Sequence, residues 1–238
     1  MIDSHQHFWV YEPEKHAWID DEMKVIRKNF LPEDLKKLYH ENGIDGCVAV
    51  QADQTLSETD FLLDLAEKND FIKGIVGWVD LRASNIESVL EKYSRFPKLK
   101  GFRHVVQGEP DHNFVLRPDF LNGIAALEKY NFTYDILIFP HQLGAALELV
   151  KRFPKQKFVV DHCAKPDIGK KNIQEWSALI KEMAKHPNIK VVATLNGGGV
   201  RDRATKAADD MLQIMRLPAA EREVFELVAR FEARHDVD

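Results

Sequence analysis

Seven short apolar runs separated by longer amphipathic segments constrain this chain more than any other feature. The runs fall at 1–3, 46–51, 72–79, 99–102, 133–139, 157–160 and 189–195, and are rich in Val, Ile and Phe. Most are too short for buried helices, so they read as strands. The segments at 32–42, 57–69, 86–93, 118–130, 141–153 and 173–186 place apolar residues at helical spacing. Leu31, Leu35 and Leu38 mark the first, and Gly43 supplies its stop. Phe61, Leu62, Leu65 and Ala66 mark the second, after a cap region Ser57-Glu58-Thr59-Asp60. Related punctuation precedes several strands: Asn42-Gly43, Phe96-Pro97, Phe153-Pro154 and His186-Pro187.

Alternating β and α with near-continuous apolar strands predicts a parallel sheet covered by helices. A closed (β/α)8 TIM-type barrel and an open doubly wound sheet both fit that pattern. No Gly-x-Gly-x-x-Gly follows the first run, which disfavours a dinucleotide-binding sheet. Gly197-Gly198-Gly199 lacks the Lys-Ser/Thr of a phosphate loop and reads as a turn. The 238 residues approach the roughly 250 typical of a barrel, so one domain over 1–238 is expected.

Composition narrows the partners. A net charge of −5, with Lys and Arg scattered, gives no electrostatic reason to expect nucleic acid or an anionic membrane. No apolar run approaches the roughly 20 residues of a membrane span. The opening MIDSHQHFW has neither the basic start nor the apolar core of a signal peptide. Two cysteines, Cys47 and Cys163, make no disulfide framework, so a reducing cytoplasm is the expected compartment. Cys163 adjoins His162, which raises a nucleophilic role. A buried thiol packing as a small hydrophobe is the reading preferred for it.

The stretch 8–30 is long, aromatic and charged, with Trp9, Tyr11, Trp18 and Phe30. A long loop after a strand is where a barrel carries a substrate lid. A surface excursion with a few anchored aromatics fits the spacing equally well.

Chemistry is concentrated in histidine. Alternation along the first strand puts His5 and His7 on one face, side by side, where they can chelate a divalent metal. By itself the pair is weak evidence; its place at a strand end strengthens it. His104 follows the run at 99–102 with Arg103 beside it, His141 follows 133–139, and His162 follows 157–160. In a barrel such strand ends converge on one mouth. Each of these histidines alone would more simply be a hydrogen-bonded core residue. As a group, with a guanidinium, they would cost desolvation that apolar residues avoid, and that favours a task. Arg103 suits either a structural ion pair or an oxyanion. Asp80, after Trp78-Val79, is a further strand-end carboxylate, with a helix cap as its plain alternative. The remaining five, His16, His40, His112, His186 and His235, are expected on the surface or at helix ends.

At this point the chain resembles a known family. Ile2-Asp3-Ser4-His5-Gln6-His7-Phe8-Trp9 looks like the opening of the metal-dependent hydrolases of the amidohydrolase-2 type. It is more narrowly similar to the branch of sugar lactonases that act on L-fucono- and L-rhamnono-lactones. Gly74-Ile75-Val76-Gly77-Trp78-Val79-Asp80-Leu81, Lys100-Gly101-Phe102-Arg103-His104 and Val160-Asp161-His162-Cys163-Ala164-Lys165-Pro166 also match that branch. So does the stretch from Gln51-Ala52 to Ser57-Glu58-Thr59. The resemblance covers residues 1 to about 190. It implies a distorted (β/α)8 barrel and hydrolysis of a sugar lactone or similar cyclic ester. It implies catalytic and metal roles for His5, His7 and His162, with substrate contacts from Arg103, His104, His141, Trp9 and Asp80. The implied cofactor is a divalent metal, and histidine ligands suit zinc. The implied partner is a small-molecule lactone, with homo-oligomers common for soluble enzymes.

The resemblance stops near residue 191. The family pattern continues to an eighth strand ending in a Gly-Ser-Asp-Trp-Pro-like motif, whose Asp is the expected general base. Here the chain reads Val-Ala-Thr-Leu-Asn-Gly-Gly-Gly-Val-Arg-Asp-Arg. Residues 1–190 hold 20 Lys and 6 Arg, whereas 191–238 hold 1 Lys and 6 Arg, marking 191–238 as an atypical tail without a regular eighth strand. Its candidate carboxylates, Asp202, Asp209, Asp210, Asp236 and Asp238, follow no convincing strand. Leu217-Pro218 reads as a helix start, and Val224, Leu227, Val228 and Phe231 make an apolar stripe. A missing strand would leave sheet edges to be covered by this tail or a partner.

Two functions of different class follow. The first is a hydrolase that opens a lactone with an activated water, with a tail carboxylate or a neutral His as base. The second is a catalytically impaired protein that binds a sugar acid or lactone, motivated by the missing Asp. A phosphoesterase would need a second carboxylate-rich metal cluster, which the sequence does not offer.

Overall fold

The computed structural model describes residues 1–166 and 173–192. It divides into two compact units, Met1–His104 and Val105 onward. In both, parallel strands alternate with helices.

The first unit runs β1 (Ile2–Gln6), α1 (Pro32–Glu41), β2 (Gly46–Val50), α2 (Leu56–Lys68), β3 (Ile72–Gly77), α3 (Ile86–Tyr93) and β4 (Leu99–His104). The four strands pair in chain order, all parallel, as the crossover helices require. Gln6 pairs with Ala49, Val50 with Val76 and Gly77 with Phe102. Core strands read as unbroken apolar runs because both faces are covered. Cys47, Ala49, Val50, Ile72 and Ile75 are all fully buried, as are Leu62 of α2 and Leu90 of α3.

Local chemistry sets the element ends. Pro32 opens α1, and the Asp34 carboxylate accepts the Leu31 N–H at 2.8 Å. Gly43, at φ +66°, turns the chain out of α1 in a conformation that favours glycine. The Thr55 hydroxyl caps α2 by accepting the Glu58 N–H. β3 stops at Gly77, two residues short of the apolar run. The Thr59 hydroxyl explains this: it accepts the Trp78 N–H and donates to the Trp78 carbonyl, both at 2.7 Å. Those backbone groups are then withdrawn from the sheet. Gly77 permits the approach, since a Cβ there would sit 2.8 Å from the Thr59 hydroxyl oxygen.

The second unit runs α4 (Pro118–Lys129), β5 (Thr133–Ile136), α5 (Leu143–Arg152), β6 (Phe158–Val160), α6 (Gln174–Met183) and β7 (Ile189–Val191). β5 pairs with β6 and β6 with β7, again parallel and in chain order. Phe120, Leu127, Tyr134, Ile136, Leu149 and Met183 are wholly buried. β5 is shorter than the apolar run 133–139. The Leu137 carbonyl accepts the Gln107 N–H at 3.0 Å, and Pro140 opens a helical turn. β1 and β4 run further than expected, to Gln6 and His104, because they continue through polar residues that periodicity does not recognise as strand.

Seven strands lie among the described residues. The end of the run 189–195, the Gly197-Gly198-Gly199 turn, the missing eighth strand, the tail carboxylates and the 217–231 helix all lie outside them. No helix among the described residues is long and apolar enough to cross a membrane.

Candidate active site

The first unit holds a compact imidazole pair. β1 carries His5 at its carboxyl end, and His7 follows directly. Their rings meet edge to face, with centroids 4.9 Å apart and Nε2 atoms 3.2 Å apart. This is the same-face placement that strand alternation predicts. Asp3 braces the strand beneath them. Its carboxylate accepts the His5 N–H at 3.1 Å and the Tyr39 hydroxyl at 2.7 Å. Burial and the nearby Asp3 charge push the Tyr39 phenol far above its ordinary range, so it stays a donor to that carboxylate.

The orientation of His7 decides what the pair can hold. Its Nδ1 lies 2.8 Å from the Val50 carbonyl oxygen. A carbonyl only accepts, so Nδ1 carries the proton and a neutral ring keeps its lone pair on Nε2. That is the arrangement in which ligand histidines are held by an outer partner. Two imidazole nitrogens bound tetrahedrally at about 2.0–2.1 Å stand roughly 3.3 Å apart. The observed 3.2 Å fits a divalent cation between them.

Arg103 closes this group. It is 4% exposed, with Nη2 donating to the Gln51 carbonyl at 2.6 Å and Nη1 3.3 Å from His5 Nε2. Gln51 returns a longer bond, its amide donating to the Arg103 carbonyl at 3.3 Å. His104, the last residue of β4, is buried. Asp80 is half-buried and not a helix cap. Its carboxylate accepts the Arg82 backbone N–H at 3.1 Å and the Arg82 Nε at 2.9 Å. Burial works against its ionisation, but the Arg82 hydrogen bonds and the charges of Arg82 and His104 outweigh that and hold it below the usual carboxylate range.

Trp9 is 8% exposed and spent on its own loop. Its N–H and carbonyl bridge to Phe30 at 3.0 and 2.9 Å, its indole donates to the Lys28 carbonyl at 2.9 Å, and its ring packs on Phe30. His16 corrects an expectation. It was placed on the surface by sequence position, yet it is 3% exposed, packed near Trp9, Tyr11 and Trp18, with Nδ1 3.0 Å from the Glu12 carbonyl oxygen. A loop that folds on itself buries residues that no strand or helix period marks. His40 is exposed and His186 half-buried, while His235 lies outside the described residues.

Glu58 sits near the end of β2 with its carboxylate accepting the Ala52 N–H at 2.9 Å. Burial is the largest influence on it and pushes its pKa above the ordinary 4.5, despite that backbone bond. The folded state therefore binds more protons than the unfolded state above pH 4.5, and stability falls as pH rises through that window. Glu58→Gln removes the titration. Its urea midpoint is expected to gain on that of the unaltered protein from pH 4.5 upward, then to hold a constant lead once Glu58 is ionised. A lead that does not vary with pH would contradict this.

The second unit holds His141 and His162. His141 lies in the turn Pro140–Gln142, exposed, with Phe139 stacked on it at 6.0 Å. The His112 ring stands 4.3 Å from it, a partner that sequence position alone did not suggest. His162 opens four successive residues with positive φ: His162 52°, Cys163 51°, Ala164 55° and Lys165 50°. Left-handed backbone at non-glycine residues costs about 1–2 kcal/mol each. Hydrogen bonds hold it, among them Cys163 N–H to the Val192 carbonyl at 3.0 Å, Lys165 N–H to the His162 carbonyl at 2.8 Å, and the Trp176 indole to the Cys163 carbonyl at 2.7 Å. Strain of this kind gathers at functional positions. The Cys163 thiol is 2% exposed and burial pushes its pKa up to about 12, which fits packing rather than nucleophilic attack.

Parallel strands alternating with helices, and a His-x-His pair held by a backbone carbonyl at the end of the first strand, define an α/β protein of the (β/α)-barrel kind. The chain belongs to the amidohydrolase family, whose model matches residues 2–222. It is 37% identical over 202 residues to an L-fucono-1,5-lactonase of Burkholderia multivorans, covering 82% of this chain and 67% of that protein. It is 33% identical over 188 residues to an L-fucono-1,5-lactonase of Burkholderia ambifaria, covering 79% and 65%. The chain thus spans about two thirds of the length of these curated relatives. Among solved structures it resembles an amidohydrolase from Burkholderia multivorans with bound zinc, at 30% identity and a TM-score of 0.83, covering 94% of both chains.

Proposed function

We propose that this protein is a metal-dependent hydrolase that opens a sugar lactone with water. The observation that carries the reading is the 37% identity to an L-fucono-1,5-lactonase over 202 residues. The tautomer that the Val50 carbonyl imposes on His7 supports it, because it leaves the His7 Nε2 lone pair 3.2 Å from His5 Nε2.

In this reading His5 and His7 hold the cation, and zinc is an ion that imidazole ligands suit. When bound, the metal supplies Lewis acidity and lowers the pKa of water. The protein's own residues do the rest. The Arg103 guanidinium faces the oxyanion that forms as the carbonyl carbon becomes tetrahedral, where a fixed donor counts most. His104 and Asp80 contact ring hydroxyls. The water proton passes to a neutral imidazole or a carboxylate, and the ring oxygen leaves as a hydroxyl. Two buried free thiols suit a reducing cytoplasm.

Proton release from a panel of L- and D-sugar γ- and δ-lactones tests the activity. Stereoselective turnover far above spontaneous opening, strongest for a lactone of the L-fucono type, is expected. Saturable lactone binding with no turnover on any of them would contradict the reading.

A further inference from the structure

The contact between Arg103 and His5 raises a question that metal ligation alone does not answer. Arginine has no acceptor, so an Nη1 facing His5 Nε2 at 3.3 Å requires the His5 lone pair. The neighbouring His7 Nε2, 3.2 Å away on the other approach, also offers a lone pair because its proton is fixed on Nδ1. His5 Nε2 thus stands between a permanent donor and an acceptor. A cation between the two imidazoles would resolve the facing lone pairs, but it needs the same His5 lone pair that Arg103 takes. The guanidinium carries a full positive charge at any working pH and would stand beside a divalent ion. It is no loose surface arm, being buried and tied by Nη2 to the Gln51 carbonyl at 2.6 Å.

We infer that Arg103 is an internal competitor for the metal: its Nη1 and a divalent cation contend for His5 Nε2, and a carboxylate ligand that draws Arg103 away tightens the metal. This rests on the reading of His5 and His7 as metal ligands. Hydrolysis of a lactone yields a carboxylate, so the product is itself a ligand able to pair with a guanidinium. Metal affinity then rises when product is bound, and product affinity rises by the same factor when metal is bound.

Zinc affinity, measured by competition with a fluorescent chelator at one pH, tests this without reference to turnover. Arg103→Met is expected to bind zinc at least about 10-fold tighter than the unaltered protein. L-Fuconate, added at saturation, is expected to tighten zinc binding by the unaltered protein and to leave Arg103→Met unchanged. Equal or weaker zinc binding by a folded Arg103→Met overturns the inference. Should that variant not fold, crystal structures of the unaltered protein with and without zinc decide. Separation of Nη1 from His5 Nε2 beyond hydrogen-bond reach in the zinc form supports it, and an unchanged contact overturns it. His7→Ala separates the two layers of the argument. Zinc retained in His7→Ala removes the metal-site reading. Zinc lost in His7→Ala, with no gain in Arg103→Met, removes only the competition.

Discussion

His7→Ala is expected to lower zinc affinity and lactone turnover together, each by more than about 100-fold. Removing an outer partner that merely orients a metal ligand costs about 10–100-fold, and deleting a ligand should exceed that. The loss should be shared because, in the function proposed, the same Nε2 holds the metal that turnover needs. Held by Val50, His7 has one tautomer and one ring orientation, so no rotation lets another atom take its place. Stability is expected to change little by comparison, since His7 is only half-buried. His5→Ala should act alike on zinc, with one difference: it also frees Arg103 Nη1 from its imidazole. Turnover that survives while zinc is gone would show that water is activated by other means.

Trp176→Phe is expected to destabilise the fold by about 1–3 kcal/mol through the buried Cys163 carbonyl it leaves without its donor. Trp176→Ala adds lost packing of a 3%-exposed indole and should cost about 3–5 kcal/mol. The indole holds a strained turn. Four successive non-glycine residues from His162 to Lys165 keep positive φ, a state the backbone leaves unless other bonds over-determine it. Trp176 supplies one of the bonds that do so. A variant as stable as the unaltered protein would mean that the turn does not depend on the indole.

Much of the fold was legible because apolar runs and helical spacing report burial, and burial is what a parallel α/β fold imposes on sequence. The strand and helix positions follow from Val, Ile and Leu. The ends do not. β3 ends at Gly77 because a hydroxyl on α2 claims the Trp78 backbone, a tertiary bond that no local pattern encodes. The His5–His7 pair was legible for the same reason that strands are: period-two alternation places them together. The Val50 carbonyl that fixes the His7 tautomer sits 43 residues away and left no mark. Neither did the left-handed turn at His162, whose residues carry no glycine to announce it. His16 was misplaced because aromatic packing within an irregular loop has no period to read. His112 escaped notice for a related reason, since it meets His141 through turns rather than through a strand end.

The central claim is that a metal held by strand-end histidines drives lactone opening, and metal removal with reconstitution tests it most directly. Purified protein is stripped with a chelator, zinc is returned in known increments, and opening of an L-fucono-type lactone is followed against bound zinc. The account predicts negligible turnover in the stripped protein and recovery in proportion to zinc bound, reaching a plateau at one ion per chain. Full turnover by the metal-free protein would contradict it.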